Sequence, residues 1–187
     1  LKGIEFKDVL GIVQEPRIFK ELILKMSSSQ IIKNAEAIIS IDARGFIFGS
    51  AISLQASKPM IVARKPGKLP GELFEEDYNL EYGKNSLSVQ KKALQKYKSF
   101  AIVDDLLATG GTVNCVSKLL ESNMKEVAGL LVVVELIKLK GRLKLKFPVE
   151  SSITFWTFEA ILSRLIFMFL SSISELVTNL RASWDEL

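Results

Sequence analysis

One run constrains this chain more than any other: Ala101-Ile102-Val103-Asp104-Asp105-Leu106-Leu107-Ala108-Thr109-Gly110-Gly111-Thr112. An apolar strand ends in two adjacent carboxylates, a short glycine-containing turn follows, and a helix begins at Thr112. That order builds an anion site. Backbone N–H groups at a helix N-terminus point at a phosphate, and glycines let the main chain approach it closely. Asp104 and Asp105 sit beside the turn, placed to accept hydrogen bonds from sugar hydroxyls or to hold a hydrated Mg²⁺. Phosphate, ribose and metal together mean a phosphorylated sugar. An Asp-rich loop that merely caps a helix is the plainer alternative, and it leaves the attached Thr-Gly-Gly-Thr without a reason.

Strand and helix signals alternate along the rest of the chain. Residues 16–26 have Ile18, Phe19, Leu22, Ile23 and Met26 at helical spacing, and the serines at 27–29 weaken that helix's end. Residues 37–41 form a short apolar strand, the Arg44-Gly45 turn opens a helix through Ala56, and residues 60–63 form the next strand. Pro66, Gly67, Pro70 and Gly71 interrupt regular structure over a loop that is either a lid or a simple connection. Residues 73–82 and 86–89 read as a hairpin turning at 83–85. Residues 100–103 are the strand before the glycine turn, 112–121 its helix, 127–134 a long buried strand, and 149–155 the last strand. This pattern predicts an α/β fold: a parallel sheet with helices on both faces and ligands outside the strands' carboxyl ends.

A length of 187 residues suits one domain that buries a sizeable core without disulfides. The net charge of +4 is a weak hint of anionic ligands, and no Lys/Arg stripe suits a nucleic-acid backbone, so no nucleic-acid partner is expected. The chain has no histidine, which excludes Ser-His and Cys-His nucleophiles and most zinc sites. The single cysteine, Cys115, falls on the helix after the glycine turn, as a small core residue. One cysteine makes no internal disulfide, which fits a reducing cytoplasm.

The last segment differs in pattern. Leu162, Leu165, Ile166, Phe169, Ile173, Leu176 and Leu180 recur at helical spacing, and Arg164 and Glu175 bracket an apolar run too short to span a bilayer. A helix docked on the domain or on a second subunit is the plain reading, and no membrane partner is expected. A membrane-surface helix and a foreign or out-of-frame tail are the alternatives.

The run at residues 101–112 resembles the phosphoribosyl-pyrophosphate (PRPP) signature of the type I phosphoribosyltransferases. Within that group the chain is similar to the adenine phosphoribosyltransferases at three further segments. Ala43-Arg44-Gly45-Phe46 with Phe48-Gly49 resembles their pyrophosphate-side loop. Arg64-Lys65-Pro66-Gly67-Lys68-Leu69-Pro70-Gly71 resembles their mobile loop, and Leu80-Glu81-Tyr82-Gly83 the segment with their catalytic acid. The similarity runs from about Gly3 to Phe155. It implies a catalytic domain over residues 1–155, with a short N-terminal hood segment, and an unmatched helical tail over 156–187. The chain opens on Leu1, whereas the family has a helix and a Pro-containing turn ahead of Gly3, so a truncated start is expected.

The resemblance implies transfer of the phosphoribosyl group from PRPP to adenine, giving AMP and pyrophosphate through an oxocarbenium-like transition state. Ala108, Thr109, Gly110, Gly111 and Thr112 would bind the 5′-phosphate, and Asp104 and Asp105 the ribose hydroxyls, directly or through Mg²⁺. The metal itself would be held mainly through PRPP. Arg44, on a turn that is strained in the family, would face pyrophosphate and take part in catalysis. Arg64, Lys68 and Tyr82 would add to the pyrophosphate side, with solvated loop charge the plainer reading of the two basic residues. The residue matching Arg64 can reach a neighbouring subunit's site, which implies a homodimer. Glu81 is the candidate acid/base, its pKa raised beside the leaving group, with Glu75, Glu76 and Asp77 in the same stretch. Glu5, Phe6 and Lys7 would read adenine, Phe6 by stacking, against an apolar wall of Leu106 and Leu136. Lys7 stands where the family more often has arginine. The rival readings are a phosphoribosyltransferase for xanthine, hypoxanthine or orotate, and a non-catalytic PRPP- or purine-sensing regulator.

Overall fold

A computed structural model describes residues 9–80 and 83–155, with the backbone alone at 78–80 and 83–85. Glu5, Phe6, Lys7, Glu81, Tyr82 and the tail at 156–187 lie outside the described residues. The described residues start with α1 (Leu10–Gln14) and α2 (Pro16–Ser27). Pro16 stands at the first turn of α2, where its fixed φ suits the helix and its missing N–H costs nothing. Leu22, Ile23 and Met26 bury the face that their spacing predicts. The serine run does more than end α2. Ser29 Oγ accepts the Ile31 N–H at 3.0 Å and caps a further short helix, α3 (Gln30–Asn34), which hydrophobic periodicity over five residues is too short to reveal.

β1 (Ala37–Ile41), α4 (Gly45–Ala56) and β2 (Met60–Ala63) occupy the spans that the sequence predicts. β3 (Leu73–Leu80) and β4 (Gly83–Gln90) pair antiparallel as far as Leu80 opposite Gly83. The predicted turn at 83–85 is therefore corrected, because Gly83, Lys84 and Asn85 carry ladder positions. Glycine permits a turn there without requiring one. After α5 (Lys91–Leu94) comes β5 (Ser99–Leu107), then α6 (Gly111–Ser122), β6 (Glu126–Leu136) and β7 (Val149–Phe155). β5 outruns its predicted end at Val103, since Asp104, Leu106 and Leu107 keep backbone partners on β6. Two 3₁₀ turns, Ile137–Leu139 and Gly141–Lys144, lead from β6 toward β7.

Five strands form one parallel sheet in the order β2-β1-β5-β6-β7. One face is covered by α1 to α4 around Leu22, Phe48, Ile52, Val103 and Val133. The other is covered by α6, α5 and the β3–β4 hairpin around Ile39, Ile102, Leu94, Val116 and Leu119. From β1 the chain continues to β2 on one side, while β5 lies on the other. The crevice where ligands bind such sheets thus opens between the carboxyl ends of β1 and β5. Among the described residues no helix is long and apolar enough to cross a membrane.

Candidate active site

The turn after β1 enters this crevice first. The Asp42–Ala43 peptide is cis, and it precedes Arg44 at the start of α4. Gly45 lets α4 begin directly against β5: a Cβ there would lie 2.9 Å from Asp104 Oδ1 and 3.1 Å from the Val103 carbonyl oxygen. This approach brings Arg44 to the paired carboxylates. Its Nε lies 2.6 Å from Asp105 Oδ2, with Asp105 only 6% exposed. The contact is an ion pair without hydrogen-bond alignment, and Asp105 Oδ2 accepts no hydrogen bond among the described residues.

Asp104 turns back on the main chain, its Oδ1 accepting the Asp105 N–H at 2.9 Å. Such a local bond takes that N–H from the strand ladder. The alternation of faces also lapses here: Val103 packs in one core and Leu107, four residues on, in the other. Burial, and then the Asp105 charge beside it, push the Asp104 carboxyl well above the usual carboxylate range, against a smaller opposing effect of Arg44. A cation or a set of hydroxyl donors at this point would favour the ionised form.

Beyond Leu107 the loop reaches Gly110, at φ +78°, the left-handed backbone that glycine adopts without penalty. Gly110 caps α6 and brings no side chain of its own to the first-turn N–H groups. Thr109 is exposed, and Ala108, Gly111 and Thr112 are half-buried. These five residues form the glycine-containing turn that the sequence predicts, with the helix starting one residue earlier, at Gly111.

Arg64, just past β2, joins the same rim. Its Nε donates to Asp42 Oδ2 at 3.0 Å, its guanidinium lies 5.8 Å from the Phe46 ring centroid, and Nη1 donates to the Lys68 carbonyl at 3.3 Å. The Arg64 backbone also exchanges hydrogen bonds with Ser88 of β4, at 3.0 and 2.7 Å. Lys68 is exposed and is tied to this cluster through its carbonyl. Leu106, next to the last residue of β5, and Leu136, the last of β6, pack against the core that holds Val103 and Val133. Of the other acid candidates on β3, Glu75 and Asp77 are exposed and Glu76 is half-buried. Burial pushes the Cys115 thiol up to about 12, which leaves it a neutral core group.

Among the described residues no group of three or more His, Cys, Asp or Glu side chains could hold a metal alone. The donors present still suit Mg²⁺, which typically takes one or two carboxylates and completes its shell with substrate phosphates and water. Asp105 Oδ2, buried and without a hydrogen bond but ion-paired with Arg44, would become such a donor when that pair opens. Sequence reasoning counts Asp42 only for the main chain of its turn, and passes over Gly141, Glu135 and Arg142. A glutamate in an otherwise apolar strand is a signal that could have found the last two, because a buried carboxylate needs a partner.

The sequence model of the phosphoribosyl transferase domain family matches residues 12–157. The chain is 88% identical over 154 residues to an adenine phosphoribosyltransferase of Prochlorococcus marinus (strain MIT 9515), covering 82% of this chain and 90% of that protein. Among solved structures it is similar to the adenine phosphoribosyltransferase of Thermoanaerobacter pseudethanolicus. That match has a TM-score of 0.76 at 37% identity, over 82% of this chain and 90% of that one. It is also similar to the Saccharomyces cerevisiae enzyme, which was solved with adenine and an imino-altritol bisphosphate. The TM-score there is 0.72 at 34% identity, over 80% and 87% of the two chains. A switch-point crevice lined by a glycine turn, paired aspartates and two arginines, together with these likenesses, means that the chain belongs to the adenine phosphoribosyltransferases of the type I phosphoribosyltransferase family.

Proposed function

We infer that this chain transfers the 5-phosphoribosyl group of PRPP to adenine, releasing AMP and pyrophosphate. The observation that carries the reading is the juxtaposition of Asp104 and Asp105 with the glycine-capped start of α6 on one side and Arg44 on the other. A ribose bearing phosphate at one end and pyrophosphate at the other has the polarity of that arrangement.

On this reading the N–H groups of residues 108–112 and the Thr109 and Thr112 hydroxyls hold the 5′-phosphate. Asp104 and Asp105 accept from the ribose hydroxyls. Arg44 and Arg64 bear on the pyrophosphate, and their positive charge stabilises it as the anomeric bond lengthens. Asp42 holds Arg64 toward that side through the 3.0 Å pair. Leu106 and Leu136 give the base an apolar wall, with Glu5, Phe6 and Lys7 reading its edge and face. Glu81 exchanges the proton with the purine ring. Asp104 and Asp105 are the residues that would meet a Mg²⁺ carried by PRPP, whose charge would neutralise the phosphates. Most of the rate comes from holding base and anomeric carbon in line and from charge stabilisation. The same reading includes a homodimer and a cytoplasmic location.

A pyrophosphate-release assay with PRPP, Mg²⁺ and one base at a time tests it. Turnover with adenine well above that with hypoxanthine, xanthine or orotate is the expected result. Equal turnover with another base would move the specificity elsewhere, and binding of PRPP without release would make the chain a sensor.

A further inference from the structure

Glu135 is the penultimate residue of β6, 5% exposed, in a strand whose neighbouring residues are apolar. A carboxylate so placed persists only with full compensation. It has that from both sides. Arg142 Nε donates to Oε1 at 2.9 Å while Nη2 pairs with Oε2, and Ser151 Oγ donates to Oε2 at 2.9 Å. The same guanidinium donates through Nη1 to the Val149 carbonyl at 2.6 Å. The fork therefore ties β6, β7 and the 3₁₀ turn Gly141–Lys144 together in one fixed orientation. Arg142 as neighbour holds the Glu135 carboxyl below the usual range, so the pair stays charged.

What the fork fixes is the residue before it. Gly141 is buried, and a Cβ there would collide with the Ala108 carbonyl oxygen and stand 3.0 Å from the Gly110 nitrogen. Conversely, a Cβ on Gly110 would stand 2.9 Å from the Gly141 carbonyl oxygen. Main chain lies on main chain, with no side chain between to absorb a displacement. The circuit closes through the sheet, because Leu107, the last residue of β5 before the loop, is in register with Glu135.

We propose that Glu135 and Arg142 are positioning residues for the loop at 108–110, acting through Gly141 to hold it in its anion-receptive conformation. Neither side chain reaches the ligand; both set the shape of the turn that does. The proposal rests on the reading that this loop takes the 5′-phosphate.

The test uses the full chain and two probes that separate the ends of the substrate: ribose 5-phosphate and inorganic pyrophosphate, each titrated by calorimetry. Arg142→Ala is expected to weaken ribose 5-phosphate about tenfold or more and raise KM for PRPP, with kcat far less affected. Pyrophosphate affinity should stay within about twofold. Added guanidinium ion should restore part of the lost ribose 5-phosphate affinity. Unchanged ribose 5-phosphate affinity, or an equal loss for both probes, overturns the proposal. Gly110→Ala separates the two layers of the argument. If it leaves ribose 5-phosphate binding intact, the phosphate reading of the loop fails. If it weakens that binding while Arg142→Ala does not, the positioning role alone fails. Where Arg142→Ala does not fold, Ser151→Ala removes one donor to Glu135, and the same split between the two probes decides.

Discussion

Arg44 Nε lies 2.6 Å from Asp105 Oδ2, so the residue assigned to the pyrophosphate and one of those assigned to the ribose are paired with each other before any substrate arrives. The pair orients the guanidinium at the mouth of the crevice and neutralises a buried carboxylate in one contact. Binding and stability are therefore coupled at this point.

Arg44→Ala should weaken PRPP and pyrophosphate together, since one guanidinium serves the same phosphates before and after transfer. It should also destabilise the fold by about 1–2 kcal/mol, because Asp105 is left buried and unpaired. The figure sits below that for a fully buried pair, as the Arg44 side chain keeps 33% of its exposure. Calorimetric titration with pyrophosphate and a denaturant curve read the two effects separately. Normal pyrophosphate affinity would remove Arg44 from the phosphate site.

Asp104→Asn should move activity and stability in opposite directions. The native carboxyl is pushed up by burial and by Asp105, so its ionised form works against the fold at neutral pH. An amide keeps the oxygen that accepts the Asp105 N–H and removes the charge. The expected result is a raised Tm with a large loss of PRPP turnover. A lower Tm would mean that the Asp104 charge is compensated in the folded chain.

Glu81→Gln should lower kcat by about 10² or more while PRPP affinity changes little, as expected when a general acid or base is lost. Steady-state kinetics with PRPP and adenine check it. An unchanged kcat would assign the proton to another group, with Glu76 the first to test.

Acid stability should depend on Glu135. Its folded pKa is lowered, chiefly by the hydrogen bonds from Arg142, so the pair contributes stability above the ordinary glutamate pKa. That contribution is lost as pH falls through the lowered folded value. Glu135→Gln should therefore be less stable than the native chain at neutral pH, and the gap should close below that window. Urea midpoints measured across the acid range report it. A gap independent of pH would mean that the charge plays no part.

The framework of the fold was legible because each signal in it is local. A five-residue apolar strand, a glycine turn and an amphipathic helix announce themselves within a dozen residues, which is why β1, β2 and α4 fall where the sequence puts them. β5 was read short because charged residues look like a strand's end. What carries it past Asp104 is its partner β6, a non-local fact. Arg44, Asp104 and Asp105 were legible as chemistry, but their pairing was not, since it depends on the approach of α4 to β5 at Gly45. Glu135 and Arg142 escaped for the same reason. The chain between them runs through one 3₁₀ turn into the start of a second, and only the folded chain brings the carboxylate and guanidinium face to face.

The contact between Gly45 and the end of β5 has a consequence for what the crevice can admit. The turn before α4 and the carboxylates of β5 are spaced by main chain, as the jaws of a fixed-gap caliper are spaced by their frame. Exchanging side chains on either jaw changes how firmly a ligand is gripped and leaves the gap as it was. Any substituent at Gly45 would open the gap by pushing α4 off the Asp104 backbone. Any adjustment to a larger or smaller ligand then falls to side chains and to exposed loop such as the segment at 65–72, and not to this gap.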